Sequence, residues 1–152
     1  MLEVSNIDTF YGKIQALWDV SLRIDEAEIV ALVGANGAGK TTLLNTISGL
    51  LYPASGSVEF HGKRIDGLMS HAIVELGLSH IPEGRKLFPD MSVRENLEMG
   101  AYNKRVWKHK QETLDKVYQL FPILKSETRT ISQNIKRWRT ANGSYGQGFN
   151  VK

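Results

Sequence analysis

Ile29-Val30-Ala31-Leu32-Val33-Gly34-Ala35-Asn36-Gly37-Ala38-Gly39-Lys40-Thr41-Thr42-Leu43-Leu44 joins three kinds of sequence end to end. The first five residues are continuously apolar and rich in β-branched side chains, the composition of a parallel strand buried on both faces. Gly34 to Thr41 then matches G-x-x-x-x-G-K-[ST]. After it, Leu43, Leu44, Ile47 and Leu51 recur in helical phase, and the helix closes at Gly49 and Pro53. A chance glycine-rich turn satisfies the bare pattern; it does not supply a strand before and a helix after. The glycines of such a loop let the backbone turn its N–H groups inward as a nest for phosphate oxygens. The helix beginning near Lys40 adds the positive end of its dipole. Lys40 is then expected to reach the β and γ phosphates of a nucleotide, Thr41 to offer its hydroxyl to Mg²⁺, and Thr42 to donate to the α phosphate.

Outward from this stretch, Leu2-Glu3-Val4 opens as a strand, and Asp8 to Lys13 carries turn chemistry at Tyr11-Gly12. Ile14 to Ile24 alternates with Ala16, Val20, Leu22 and Ile24 in phase, the pattern of a half-exposed antiparallel strand. Ser57 to Phe60 reads as another strand before a turn at His61-Gly62. Ser70 to Leu76 reads as a short helix ended by Gly77, and Leu78 to Ile81 as a short strand stopped by Pro82. Ser92 with Glu95 three residues on is a capping box for a helix to about Met99. Trp107 to Phe121 places Leu114, Val117, Tyr118 and Phe121 on one face of a further helix, stopped by Pro122.

Composition narrows the class. The chain has 152 residues, room for one domain with a core. No apolar run is long enough to cross a bilayer and no leader opens the chain, so a cytoplasmic setting is expected, with any membrane role exercised through a partner. There is no cysteine, which removes disulfides and thiolate metal sites. His61, His71, His80 and His109 show no metal-ligand spacing. The net charge is +3, but residues 125–152 carry six bases against Glu127 and leave the preceding 124 residues at −2. The acidic body argues against nucleic acid as a partner. A stacking surface of Trp138, Tyr145 and Phe149 among the tail's bases remains the weaker reading.

The flanks choose among families that share the phosphate loop. Tyr11-Gly12, Ala16-Leu17-Trp18-Asp19-Val20-Ser21-Leu22, the stretch Glu28 to Leu44, Ile47-Ser48-Gly49-Leu50 and Pro53-Ala54-Ser55-Gly56 together closely resemble the ABC ATPase family. Ile81-Pro82-Glu83-Gly84-Arg85-Lys86-Leu87-Phe88-Pro89-Asp90-Met91-Ser92-Val93-Arg94-Glu95-Asn96-Leu97-Glu98-Met99-Gly100-Ala101-Tyr102 resembles, within it, the second type of ATP-binding subunit of bacterial high-affinity branched-chain amino acid importers. The resemblance covers residues 1–126. It implies an α/β fold: a P-loop core with an antiparallel β subdomain and the start of a helical subdomain. It implies ATP and Mg²⁺ at Gly34, Ala35, Asn36, Gly37, Ala38, Gly39, Lys40, Thr41 and Thr42, with Tyr11 stacked on adenine. Glu83 stands where most of the family has a metal-sensing glutamine, so Thr41 and Glu83 are the candidate metal contacts. It also implies a second ATP-binding subunit, membrane permease subunits, and a peripheral place on the inner face of the cell membrane; Phe88 and Met91 are the candidates for the permease contact, with core packing the alternative role for both. Ala27 stands where the family usually has glycine, a departure that strains a turn. The transported solute is not encoded here, and a relative importing another small solute such as urea fits the same motifs.

Beyond the phosphate loop, an intact member of that family also carries a Leu-Ser-Gly-Gly signature, an apolar strand ending in Asp-Glu, and a switch histidine. The 152 residues contain none of them, so no catalytic residue is assigned and turnover is not expected. A non-hydrolysing regulatory fragment is the alternative function. Residues 127–152 read as an out-of-frame tail with no domain. Permitted codons for Asn134 to Gly143, read one nucleotide later, give Thr-Leu-Ser-Gly-Gly-Glu-Gln-Gln-Met. The Trp138-Arg139 junction is not a free choice: Trp has one codon and every Arg codon begins with A or C, so the shifted codon is Gly. Gly143 to Lys152 continues as Val-Ala-Met-Gly-Arg-Ala-Leu-Met-Ser. The hypothesis is a frameshift between about Leu124 and Asn134, natural or from sequencing, which takes the C-terminal half of the domain out of the frame read here. Sequencing the gene across this region is expected to show a single-base shift that restores the signature; an unshifted frame without it disproves the reading.

Overall fold

The computed structural model describes residues 1–84 and 86–132, and the chain divides into two compact units, Met1–His80 and the residues from Ile81 onward. Arg85 and the segment 133–152 read as out of frame lie outside the described residues.

The first unit is built on two long strands, β1 (Leu2–Tyr11) and β2 (Ile14–Ile24), paired antiparallel, with β3 (Ser55–Phe60) on the other side of β1 and the short β4 (Lys63–Arg64) beyond it. Helix α1 (Lys40–Ile47) lies against this sheet and α2 (Ser70–Glu75) closes the unit. Val4, Ile7, Leu17 and Val58 from the sheet, Leu43 and Ile47 from α1, and Ile65 and Ile73 form one buried cluster.

β1 runs through Asp8 to Tyr11, where turn chemistry was expected, because Asp8 ties strands together. Its carboxylate accepts from the Ser55 hydroxyl at 2.6 Å, the Gln15 amide at 2.9 Å and the Asp19 backbone N–H at 3.0 Å. The Ser55 bond first, then those of Asp19 and Gln15, hold this carboxyl below the usual carboxylate range.

The alternation of β2 also changes phase. Val4 pairs Leu22, Ile7 pairs Val20 and Thr9 pairs Leu17, so β1 carries an extra residue and then β2 does, the first two of three register shifts along the pair. Asn6 (φ 50°) and Asp19 (φ 48°) occupy the two bulges, and Asn6 Nδ2 donates to Asp19 Oδ1 at 2.7 Å. The shift buries Leu17, one residue out of step with Val20 and Leu22. Gly56 is required where β3 passes the β1 bulge, since a Cβ there would meet the carbonyl oxygens of Ser5 and Asn6.

Two expected strands are not formed. Ile29 to Val33 pairs with nothing among the described residues, and Ile29 and Val33 are 99 % and 89 % exposed. Leu78 to Ile81 is likewise irregular. A parallel strand exists only through neighbours on its edges, and neither stretch has a ladder partner among the described residues.

In the second unit, α3 (Val93–Met99) starts at the Ser92–Glu95 capping box as expected. Backbone N–H groups of Val93 and Arg94 donate to Thr130 and Thr128 carbonyls at 3.0 and 3.1 Å, and Ser92 bridges Ile131. Asn96 clips the preceding loop: Oδ1 accepts from Phe88 N–H at 2.8 Å while Nδ2 donates to the Phe88 carbonyl at 3.0 Å and to Ser132 Oγ at 2.8 Å. α4 (Lys104–Trp107) and α5 (Lys110–Leu120) follow. Pro122, expected only to end a helix, takes the first position of α6 (Pro122–Ser126), where its missing N–H costs nothing. Burial raises the Tyr118 hydroxyl above its ordinary pKa.

Ala27 has φ 60° in the turn after β2, where Asp25 N–H donates to Glu28 Oε2 at 2.8 Å. The left-handed region costs an L-residue with a Cβ roughly 1–2 kcal/mol, part of which glycine gives back through its freer unfolded chain. Ala27→Gly is therefore expected to raise stability by about 0.5–1 kcal/mol in urea unfolding. An unchanged or lower midpoint would show that this turn is not strained.

Candidate functional site

The loop Gly34–Gly39 leads directly into α1, and its position is set by how α1 seats on the antiparallel sheet. Leu43 and Ile47 enter the core, and Thr46 Oγ1 donates to the Thr42 carbonyl at 2.8 Å while lying 3.3 Å from Thr9 Oγ1 of β1. Gly39 presses on β2: a Cβ there would stand 2.7 Å from Leu17 Cδ2 and 3.2 Å from the Ala16 carbonyl oxygen. Its φ of 85° is a second reason that this position takes glycine. The bulge that turns Leu17 inward thus also forms the seat of the loop.

The end of the helix is open to an anion. Gly39 is the N-cap and no side chain caps it, so first-turn N–H groups keep their donors for a ligand. Gly34 to Ala38 are exposed. Within the loop, Ala38 N–H closes a tight turn onto the Ala35 carbonyl at 3.2 Å. Lys40 Nζ reaches back to the Gly34 and Ala35 carbonyls at 2.8 and 2.7 Å. An ammonium has three donors, and these two bonds leave one N–H and the full charge at the mouth of the loop. An uncapped helix N-terminus and an ammonium held across the loop can hold a phosphate group.

The expected site residues divide by unit. Gly34, Ala35, Asn36, Gly37, Ala38, Gly39, Lys40, Thr41 and Thr42 form the loop and first turn of α1. Thr41 is exposed there, and Thr42 is buried. Tyr11 ends β1 beside them, its hydroxyl 3.5 Å from Thr42 Oγ1 and its side chain half exposed. Glu83 belongs to the second unit and is exposed. Among the described residues no group of three or more His, Asp or Glu side chains converges as a metal cage. A Thr41 hydroxyl fits Mg²⁺ that arrives with a phosphate ligand, since that ion takes few protein oxygens and keeps substrate and water ones. The pattern did not reveal the Leu17 seat of Gly39, the Thr9–Thr46 contact, or the 3.1 Å bond between Ser48 Oγ and His80 Nδ1. Each depends on pairing across elements, and the only local signal was polar Thr9 in an otherwise apolar alternation.

Comparison with known proteins agrees with this geometry. The family model described as ABC transporter matches residues 17–148. The high-affinity branched-chain amino acid transport ATP-binding protein BraG of Pseudomonas aeruginosa is 46% identical over 82% of this chain and 53% of its own. A solved structure of an ATP-binding subunit of an ABC transporter superposes with TM-score 0.73 at 26% identity, over 90% of this chain and 56% of that one. A dimeric ATP-binding cassette in a post-hydrolysis state with ADP and Pi superposes with TM-score 0.62 at 26% identity, over 76% and 56%. The chain spans about half the length of the relatives it matches. Among the described residues, no helix is long and apolar enough to cross a membrane.

Proposed function

The chain belongs to the ABC transporter ATP-binding family, and from that premise we propose that it is the nucleotide-binding part of an importer ATPase for branched-chain amino acids, able to hold ATP but not to turn it over. The observation that carries this reading is the uncapped start of α1 with Lys40 locked across the loop. In this proposal Lys40 meets the β and γ phosphates, Thr42 the α phosphate, and Tyr11 the adenine ring. Thr41 would contact Mg²⁺, whose chemistry is to neutralise charge on the phosphate oxygens.

The loop residues bind and orient; they do not activate water. Attack on the γ phosphate needs a carboxylate to orient the water, and no Asp-Glu pair follows the phosphate loop in these 152 residues. The branched-chain solute rests on the likeness to BraG, and the second ATP-binding subunit on the dimeric cassette. Docking on permease subunits at the inner face of the membrane is proposed through Phe88, half exposed and fixed by Asn96, and Met91. Residues 1–126 constitute the nucleotide-binding part, and 127–152 are proposed to be translated out of frame. The codon reading supports that proposal, whereas the family match running on to residue 148 weighs against it.

Calorimetric titration of the 152-residue chain with Mg·ATP is expected to show binding, with phosphate release no faster than in a Lys40→Ala control. Lys40→Ala is expected to weaken binding about ten- to a hundredfold, the value of one charge-assisted bond. Equal affinity of the two proteins would remove the loop as the site, and Lys40-dependent phosphate release would contradict the claim of binding without turnover.

A further inference from the structure

The body of this chain is mildly acidic, yet Tyr102 to Lys110 reads Tyr-Asn-Lys-Arg-Val-Trp-Lys-His-Lys, with four lysine or arginine residues and no acid. The stretch spans the end of α3's following turn, α4 and the first residue of α5. It keeps large apolar groups in water: Tyr102 is 76% exposed and Trp107 47%, with Val106 exposed between them. Lys108 and His109 are exposed as well. Lys110 Nζ sits 3.6 Å from the Trp107 ring centre and 3.9 Å from Glu98. His109 lies 3.9 Å from Glu112, so flanking acids offset part of the charge at the α5 end.

Cations alone are usually a solvated face. Here they alternate with an indole, a phenol and a branched aliphatic side chain that the fold does not bury. Amphipathic rings beside lysine stems suit the boundary between headgroups and acyl chains, where the ring body is apolar and the cation stays with phosphate. A nucleic-acid backbone would use the cations but has no use for Val106. We propose that Tyr102–Lys110 is a membrane-adsorbing segment that takes an anionic phospholipid surface, Tyr102, Val106 and Trp107 entering the headgroup boundary and the cations supplying the attraction. The segment lies wholly in the second unit, and the inference does not rest on the nucleotide site.

The test is co-sedimentation of the full chain with vesicles of equal parts phosphatidylcholine and phosphatidylglycerol, and with phosphatidylcholine alone. Binding is expected to the anionic vesicles only, to weaken with added salt, and to shift tryptophan emission to the blue. At roughly fivefold per cation, Lys104→Gln with Arg105→Gln, Lys108→Gln and Lys110→Gln is expected to weaken binding more than about a hundredfold. Lys104→Arg with Lys108→Arg and Lys110→Arg should retain it. Neutralising the tail with Lys136→Gln, Arg137→Gln and Arg139→Gln should also leave it intact. If the glutamine variant loses its thermal transition, Trp107→Ala replaces it and should weaken binding several-fold. Equal binding to uncharged vesicles, loss through the tail variant instead, an unaffected Trp107→Ala, or preference for a duplex DNA oligonucleotide over anionic vesicles would each overturn the proposal.

Discussion

Leu43 and Ile47 of α1 pressing on the inner face of an antiparallel sheet fix the direction in which the phosphate loop opens. A helix of eight residues has little stability of its own, so its place comes from the apolar face it buries. Here that face meets Val4 and Ile7 of β1, Leu17 of β2 and Val58 of β3. Gly39 follows from the same contact, because the chain can enter the helix only where its backbone lies against Leu17. Lys40, one residue on, is thereby aimed back over the loop to Gly34 and Ala35. The site is therefore hung from the antiparallel sheet rather than from the apolar run that precedes it in sequence.

That apolar run is where fold and composition part. Ile29 to Val33 has the residues of a strand buried on both faces, but buried strands are made by neighbours. Hydrogen-bonding edges and two apolar faces must all be covered; among the described residues the run has no ladder partner, Ile29 and Val33 are almost fully exposed, and Val30 and Leu32 are only about half covered. A stretch in this condition is exposed to pairing with any other free strand. The loop nevertheless keeps its turn at Ala35–Ala38 and its lysine clasp, since both are local.

What could be read from the sequence follows the same division. The capping box at Ser92 and Glu95, the strand Ile14–Ile24 and the helix after the phosphate loop were legible because their signals lie within a few residues of one another. Ala27 was legible as a strained position by comparison with a family pattern, and its φ of 60° agrees. Asp8 misled, since an aspartate beside a Tyr-Gly turn looks like turn chemistry until three strands are found to share its carboxylate. Leu17 was out of reach for a similar reason. The paired bulges at Asn6 and Asp19 change which side of β2 is buried, and a bulge is a property of two strands.

Backbone amide hydrogen exchange on the intact 152-residue chain tests the central claim most directly. If the loop hangs from the antiparallel sheet, amides of Val4, Ile7, Val58 and the second turn of α1 exchange slowly, whereas those from Ile29 to Val33 exchange at the rate of an unstructured peptide. Protection of Ile29–Val33 equal to that of Val4 and Val58 would contradict the account, for it would mean that this run is paired and carries the loop itself.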